Sequence, residues 1–126
     1  MTYLVPLGRT LFAAIYIMSV MTHMNPATIA YAKQAGLPAA GFLVPASGII
    51  AGIGGLSVAL GFHAQIGAAL IALFLIPVTI KMHNFWAIKD PMMSQLHMAM
   101  FMKNVSMLGA ALLIIYFGSG PYSLAT

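Results

Sequence analysis

The sequence predicts an all-α membrane protein built as a bundle of four transmembrane helices. Apolar residue types make up 62% of the 126 residues and charged types only 5%, against roughly 45–50% and 25% in soluble domains. Five basic residues and one acidic residue cannot cover the surface of a soluble globule of this size. The composition therefore excludes a water-soluble enzyme, a DNA-binding domain and a disordered tail, and we expect a single membrane domain over residues 1–126.

Four apolar runs are each long enough for the roughly 20 residues that a helix needs to cross a bilayer. They predict helices over about residues 3–24, 39–60, 65–82 and 91–117. Asn25 and Pro26 end the first run, because the residue before a proline disfavours helix, and a polar connector is expected over residues 25–40. Asp90 followed by Pro91 is typical of a helix N-terminus and marks the start of the fourth helix.

The basic residues indicate the orientation of the bundle. Lys33, Lys81 and Lys89 belong to one membrane side and Lys103 lies just inside it, whereas Arg9 lies near the other side. Cytoplasmic segments carry the excess of lysine and arginine, which places both termini outside the cytoplasm. We expect a multi-pass protein of the bacterial cytoplasmic (inner) membrane. Because the basic residues are scattered singly, we expect no nucleic-acid partner.

Polar residues recur along one face of the first predicted helix. Arg9, Tyr16 and His23 are each seven residues apart, a spacing that places them nearly in line on a helix. Since a charged side chain facing lipid is unfavourable, one interpretation is a polar stripe that faces the bundle interior. The alternative is an arginine and a histidine at opposite membrane interfaces, with a tyrosine satisfied in the core.

Glycine dominates one face of the second predicted helix. Gly48, Gly52 and Gly55 lie close together on that face, and such small residues let two membrane helices approach closely. The face therefore predicts helix packing, either within the chain or between the two copies of a homodimer.

Polar and ionisable side chains are most concentrated where the third predicted helix ends and the fourth begins. We expect nine side chains to line a ligand pocket there: His23, Lys81, His83, Asn84, Trp86, His97, Phe101, Lys103 and Asn104. The set is rich in hydrogen-bond donors and contains no acid, which suits a quinone carbonyl or another anionic or carbonyl-bearing amphiphile. The alternative is a set of interface anchors and solvated termini. No metal is expected, because no closely spaced histidine pair and no cysteine is present.

The chain resembles the DoxX-like family of small membrane proteins. The most specific residues are the HNFW motif at 83–86 and the FMKN motif at 101–104, with further similarity at residues 8–9 and 120–121. The resemblance implies four membrane helices. It also implies a link to quinone chemistry, since the family takes its name from a subunit associated with a thiosulfate:quinone or terminal quinol oxidase system.

Two departures from the family pattern concern charge. Many members carry glutamate where this chain has Ala51, and lysine where it has His23. A mechanism that uses an intramembrane carboxylate is therefore not expected here.

The resemblance and the residues together predict an accessory, non-catalytic subunit of a quinone-linked redox system, with a quinone or a lipid as its ligand; no catalytic residue is assigned. Two alternatives remain open. One is a small carrier or binding protein for a lipid or an amphiphilic metabolite, and the other is a membrane scaffold for a peripheral partner. A homodimer or a larger membrane complex is compatible with all three.

Overall fold

The computed structural model describes residues 3–125, and the predicted all-α fold is confirmed. The four helices that are long and apolar enough to cross a membrane are α1, α3, α4 and α5. Their bounds are Leu4–Met24, Ala40–Leu60, Ala64–Met82 and Pro91–Phe117. A short helix, α2 (Pro26–Gln34), follows α1, and a single 3₁₀ turn (Phe85–Ala87) precedes α5.

The predicted connector over residues 25–40 lies between α1 and α3, but residues 26–34 of it form a short helix, α2, that the sequence did not predict. Asn25 ends α1 in an extended conformation, and its side chain then accepts a hydrogen bond of 2.9 Å from the backbone N–H of Ala27. With Pro26 as the first residue, this is a regular helix start. The two residues that end one helix therefore also begin the next.

The glycine face of α3 packs against α1 within the same chain. A Cβ atom added at Gly55 would lie 3.0 Å from the Cβ of Tyr16, and one added at Gly48 would collide with the side chain of His23. Gly52 is equally close to α1. The two helices thus approach at the distance that only glycine permits, and the face predicted for packing is covered inside the bundle.

The remaining spans pack in chain order, α3 against α4 and α4 against α5. Gly54 of α3 and Gly67 of α4 face each other, because a Cβ added to either would lie 2.7 Å from the carbonyl oxygen of the other. Helices α1 and α5, the first and last spans, make few direct contacts along their described lengths. The bundle therefore has one loosely closed side.

The chain after α5 turns back onto the short connection between α3 and α4. The N–H of Leu124 donates to the carbonyl of Leu60 at 3.2 Å, and the N–H of His63 donates to the carbonyl of Ala125 at 2.9 Å. The ring of Tyr3, just before α1, stacks on that of Tyr122 at 5.3 Å. Both ends of the described chain therefore lie at the same end of the bundle.

Candidate functional site

The polar stripe of α1 lies in the interior of the bundle. Arg9 is 5% exposed and Tyr16 is 2% exposed, while His23 is half-buried. The Nδ1 of His23 is 2.8 Å from the carbonyl oxygen of Ser19, and its ring packs against Phe74 of α4 at 5.5 Å. The contacts of His23 are thus with the bundle core, and none of them joins it to His83 or His97.

The hydroxyl of Tyr16 is buried and has no hydrogen-bond partner among residues 3–125. A buried hydroxyl without a partner costs about 1–3 kcal/mol. Replacing Tyr16 by phenylalanine keeps the ring packed against Phe74 and removes the unsatisfied group. We expect Tyr16→Phe to raise the free energy of unfolding by about 1 kcal/mol, measured as a higher melting temperature in detergent. A lower melting temperature would show that the hydroxyl makes a stabilising contact in the folded protein.

Two histidines and a tyrosine meet at the end of the bundle where α4 ends. The Nδ1 atoms of His83 and His97 are 3.3 Å apart, and the Nε2 of His97 is 3.3 Å from the hydroxyl of Tyr31. The rings of Tyr31 and His97 are also stacked. These contacts join α2, the end of α4 and α5. Sequence reasoning did not place Tyr31 in the site, because its segment was expected to be a connector.

Asn84 and Lys81 line two different cavities, although both are close to His83 in the chain. Asn84 lines a shallow cavity of about 220 Å³ beside α2, together with Tyr31 and Gln34. Lys81 lines a different cavity, of about 180 Å³, between α3 and α4. The two residues therefore face different spaces.

Three aromatic rings form a cluster between the 3₁₀ turn and α5. The Phe85 and Trp86 rings lie 5.4 and 5.8 Å from the ring of Phe101, both edge-to-face. Trp86 is 59% exposed, as expected for a side chain at the membrane interface, whereas Phe101 is half-buried and continues into the bundle.

Among the residues predicted to line the pocket, Asn104 is a buried polar residue in an apolar environment. It is 6% exposed and lines a cavity of about 160 Å³ between α4 and α5. The other lining residues are Leu75, Ile76, Thr79, Ile80, Phe101, Val105 and Leu108. Within the described part of the chain, its side-chain amide makes no hydrogen bond. We call this space the Asn104 cavity; its lining is apolar apart from Thr79 and Asn104.

A model of the DoxX family matches residues 4–84, which is more than half of the chain. This chain belongs to the DoxX family. The match comprises α1 to α4 and ends at Asn84, so the 101–104 motif and the whole of α5 lie outside it. No curated protein and no solved structure matches this DoxX protein. Family membership and the four apolar spans together identify it as an integral membrane protein.

The nine residues predicted to line one pocket are therefore distributed around this DoxX protein. The contacts of the described residues bring together His83 with His97, and Trp86 with Phe101. Lys103 has an exposed side chain and lines none of the cavities described here. Burial lowers the pKa of His83, and the positive charges of His97 and Lys103 add to this effect. Phe101 and Asn104 share one cavity, which makes the α4–α5 boundary the best candidate for a ligand site.

Proposed function

We propose that this DoxX protein is an accessory subunit of a quinone-linked membrane redox system and holds a quinone head-group in the Asn104 cavity. The observation that supports the proposal is Asn104 itself, a buried polar residue that lines an otherwise apolar space next to Phe101 and whose side chain makes no hydrogen bond to the described residues. We also propose that the protein lies in the bacterial cytoplasmic membrane; the asymmetry of its lysines favours an orientation with both termini outside the cytoplasm.

The chemistry of the cavity suits a ring that carries a carbonyl. The NH₂ group of Asn104 can donate to a carbonyl oxygen, a hydrogen bond that contributes about 0.5–1.5 kcal/mol. Leu75, Ile76 and Leu108 offer apolar contacts to the ring, and Phe101 offers an aromatic one. The volume is below the range of about 300–1,000 Å³ found for whole small-molecule sites, so the cavity fits a head-group whose tail stays in lipid.

A hydrogen-bonded group of two histidines and a tyrosine lies on the same side of the bundle as the cavity, nearer the membrane face. His97, Phe101 and Asn104 are spaced by four and three residues and so share one face of α5. His97 lies about 10 Å along the helix axis from Asn104, and it contacts both His83 and Tyr31. Imidazoles are common proton carriers near neutral pH, which supports a ligand that exchanges protons, as a quinol does.

We expect Asn104→Leu to weaken the binding of a short-tailed quinone about tenfold, the equivalent of one charge-neutral hydrogen bond. Its melting temperature in the absence of quinone should not fall, since the variant removes an unsatisfied amide. Trp86 is the single tryptophan of the chain and its ring is 5.8 Å from that of Phe101. Quenching of its fluorescence by the quinone therefore measures the binding.

Lys103→Met is the matched control, because Lys103 precedes Asn104 in α5 but is exposed and does not line the cavity. The control should bind the quinone as the parent does. Unchanged binding by Asn104→Leu would contradict the proposed site. Equal binding of an alkyl ketone that lacks the quinone ring would instead favour a carrier of amphiphilic metabolites.

A further inference from the structure

A second cavity lies at the opposite end of the bundle, on its loosely closed side. It occupies the space between α1 and α5, has a volume of about 320 Å³, and is larger than the Asn104 cavity. Its walls are mainly apolar, with Phe12 of α1 opposite Leu113 and Ile114 of α5, and Arg9 lies at its polar end beside Ser119. We call this space the α1–α5 cleft.

Arg9 brings a positive charge to the cleft that no acidic side chain balances. Its guanidinium donates to three backbone carbonyls and one hydroxyl, all of them uncharged. Its Nε–H has no acceptor among the described residues. Asp90 is the single acidic residue of the sequence and lies at the N-terminus of α5, whose other end borders the cleft. A buried charge without a counter-charge is unfavourable, so the site favours an anion.

We propose that the α1–α5 cleft binds an anionic amphiphile, with its alkyl chain against Phe12 and Leu113 and its oxyanion near Arg9. The oxyanion can be the carboxylate of a fatty acid or the phosphate of a phospholipid, since both offer negative oxygens to a guanidinium. A second copy of this chain does not meet the requirement, because its surface at this end brings another Arg9 and no acidic side chain. A neutral quinone also leaves the charge unbalanced.

The test uses the full chain in nanodiscs with a fatty acid that carries a diazirine on its alkyl chain, compared with the methyl ester of the same acid. Cross-links on the cleft residues of α1 and α5 are mapped by mass spectrometry. They are normalised to those on Leu73, which is 67% exposed on α4 and reports general contact with lipid. The normalised labelling of the cleft should be about tenfold higher for the acid than for the ester, the effect of one charge-assisted hydrogen bond.

Gly8→Leu should reduce the labelling by the acid to the level of the ester. Gly8 lines the cleft, and a Cβ added there meets no described atom within 4 Å, so the leucine fills free space. Gly41→Leu is the matched control, because Gly41 has equally free space near the start of another span and is not among the lining residues of the cleft. It should label like the parent.

Arg9→Gln should remove the preference for the acid while the ester labels as before. If Arg9→Gln fails to fold, the labelling of Gly8→Leu still tests the proposal. Competition by unlabelled oleate identifies a free carboxylate as the ligand, and competition by phosphatidylglycerol identifies a phospholipid. Equal labelling by acid and ester, an unaffected Gly8→Leu variant, or no competition by either lipid would each overturn the proposal.

Discussion

Replacing Gly54 by alanine is expected to lower the free energy of unfolding by about 2–3 kcal/mol, the usual range for inserting a group into a filled interior. The new Cβ would lie 2.7 Å from the backbone carbonyl oxygen of Gly67 and 3.0 Å from a side-chain carbon of Ile71. A backbone carbonyl cannot rotate away as a side chain can, so α3 and α4 must separate. Separation opens the packed interface, which is a main source of stability between membrane helices.

The matched control is Gly109→Ala in α5, where an added Cβ finds no described atom within 4 Å. That variant should be unchanged or more stable by up to about 1 kcal/mol, because alanine is the better helix former. Melting temperatures in one detergent compare the two variants directly. A Gly54→Ala protein that melts like the Gly109→Ala protein would show that α3 and α4 do not pack closely at this position.

The small residues of α3, Gly54 among them, were evident in the sequence, but the partner of Gly54 on α4 was not. Gly48, Gly52 and Gly55 follow the spacing of a single helix face, and that face does contact α1. The contact of Gly54 with Gly67 depends on how α3 and α4 are rotated about their axes. Gly67 is not part of a glycine pattern in α4, so the sequence does not predict its contact with Gly54. That contact is seen only in the packed structure.

The four membrane spans were predictable because hydropathy reports directly on which segments avoid water. Asp90 and Pro91 also marked the start of α5 correctly, since the Asp90 side chain accepts a 3.1 Å hydrogen bond from the N–H of Met93. The helix over residues 26–34 was missed because it is short, and its polar residues resemble those of a loop. Its stability comes from tertiary contacts, among them Ala32 buried against the start of α3.

For the candidate site, the sequence predicted only which end of the bundle carries the polar side chains. Residues that share an end of the bundle still differ in the direction in which they point. Lys103 and Asn104 are adjacent in α5, yet the first is exposed and the second is buried. His23 was expected at the same end of the bundle as His83, but its ring packs against Phe74 in the core. The rotation of each helix about its own axis sets the direction in which its side chains point. Because the helices are apolar on nearly every side, the sequence gives little information about that rotation.

Arg9→Leu is expected to lower the free energy of unfolding by about 3 kcal/mol or more, because several buried acceptors lose their donor and each such loss costs about 1–3 kcal/mol. The guanidinium of Arg9 donates to the carbonyls of Ser119, Pro121 and Tyr122 and to the hydroxyl of Ser123. Without it, these acceptors lose their donor, and the segment that follows α5 loses its main link to α1. Leucine would also leave Arg9's partners facing an apolar side chain.

Two measurements distinguish release of the segment that follows α5 from unfolding of the whole bundle. The melting temperature in detergent reports on the bundle, and the rate of carboxypeptidase digestion reports on residues 118–126. Both should change in Arg9→Leu, whereas Thr10→Ala should change neither, since the exposed hydroxyl of Thr10 bonds only to its own helix. The melting temperature and the digestion rate of Arg9→Lys should lie between those of Arg9→Leu and Thr10→Ala. The ammonium of lysine keeps the charge but cannot donate in the forked geometry of a guanidinium.

A double-mutant cycle with Ser123→Ala tests the link itself. The Nη1 of Arg9 and the hydroxyl of Ser123 are 2.7 Å apart, and removing both should cost less than the sum of the single losses by about 1 kcal/mol or more. Fully additive losses, together with a segment that stays protected in Arg9→Leu, would contradict the link. The segment would then be held by its backbone hydrogen bonds to Leu60 and Gly61, and the charge of Arg9 would be available to a ligand alone.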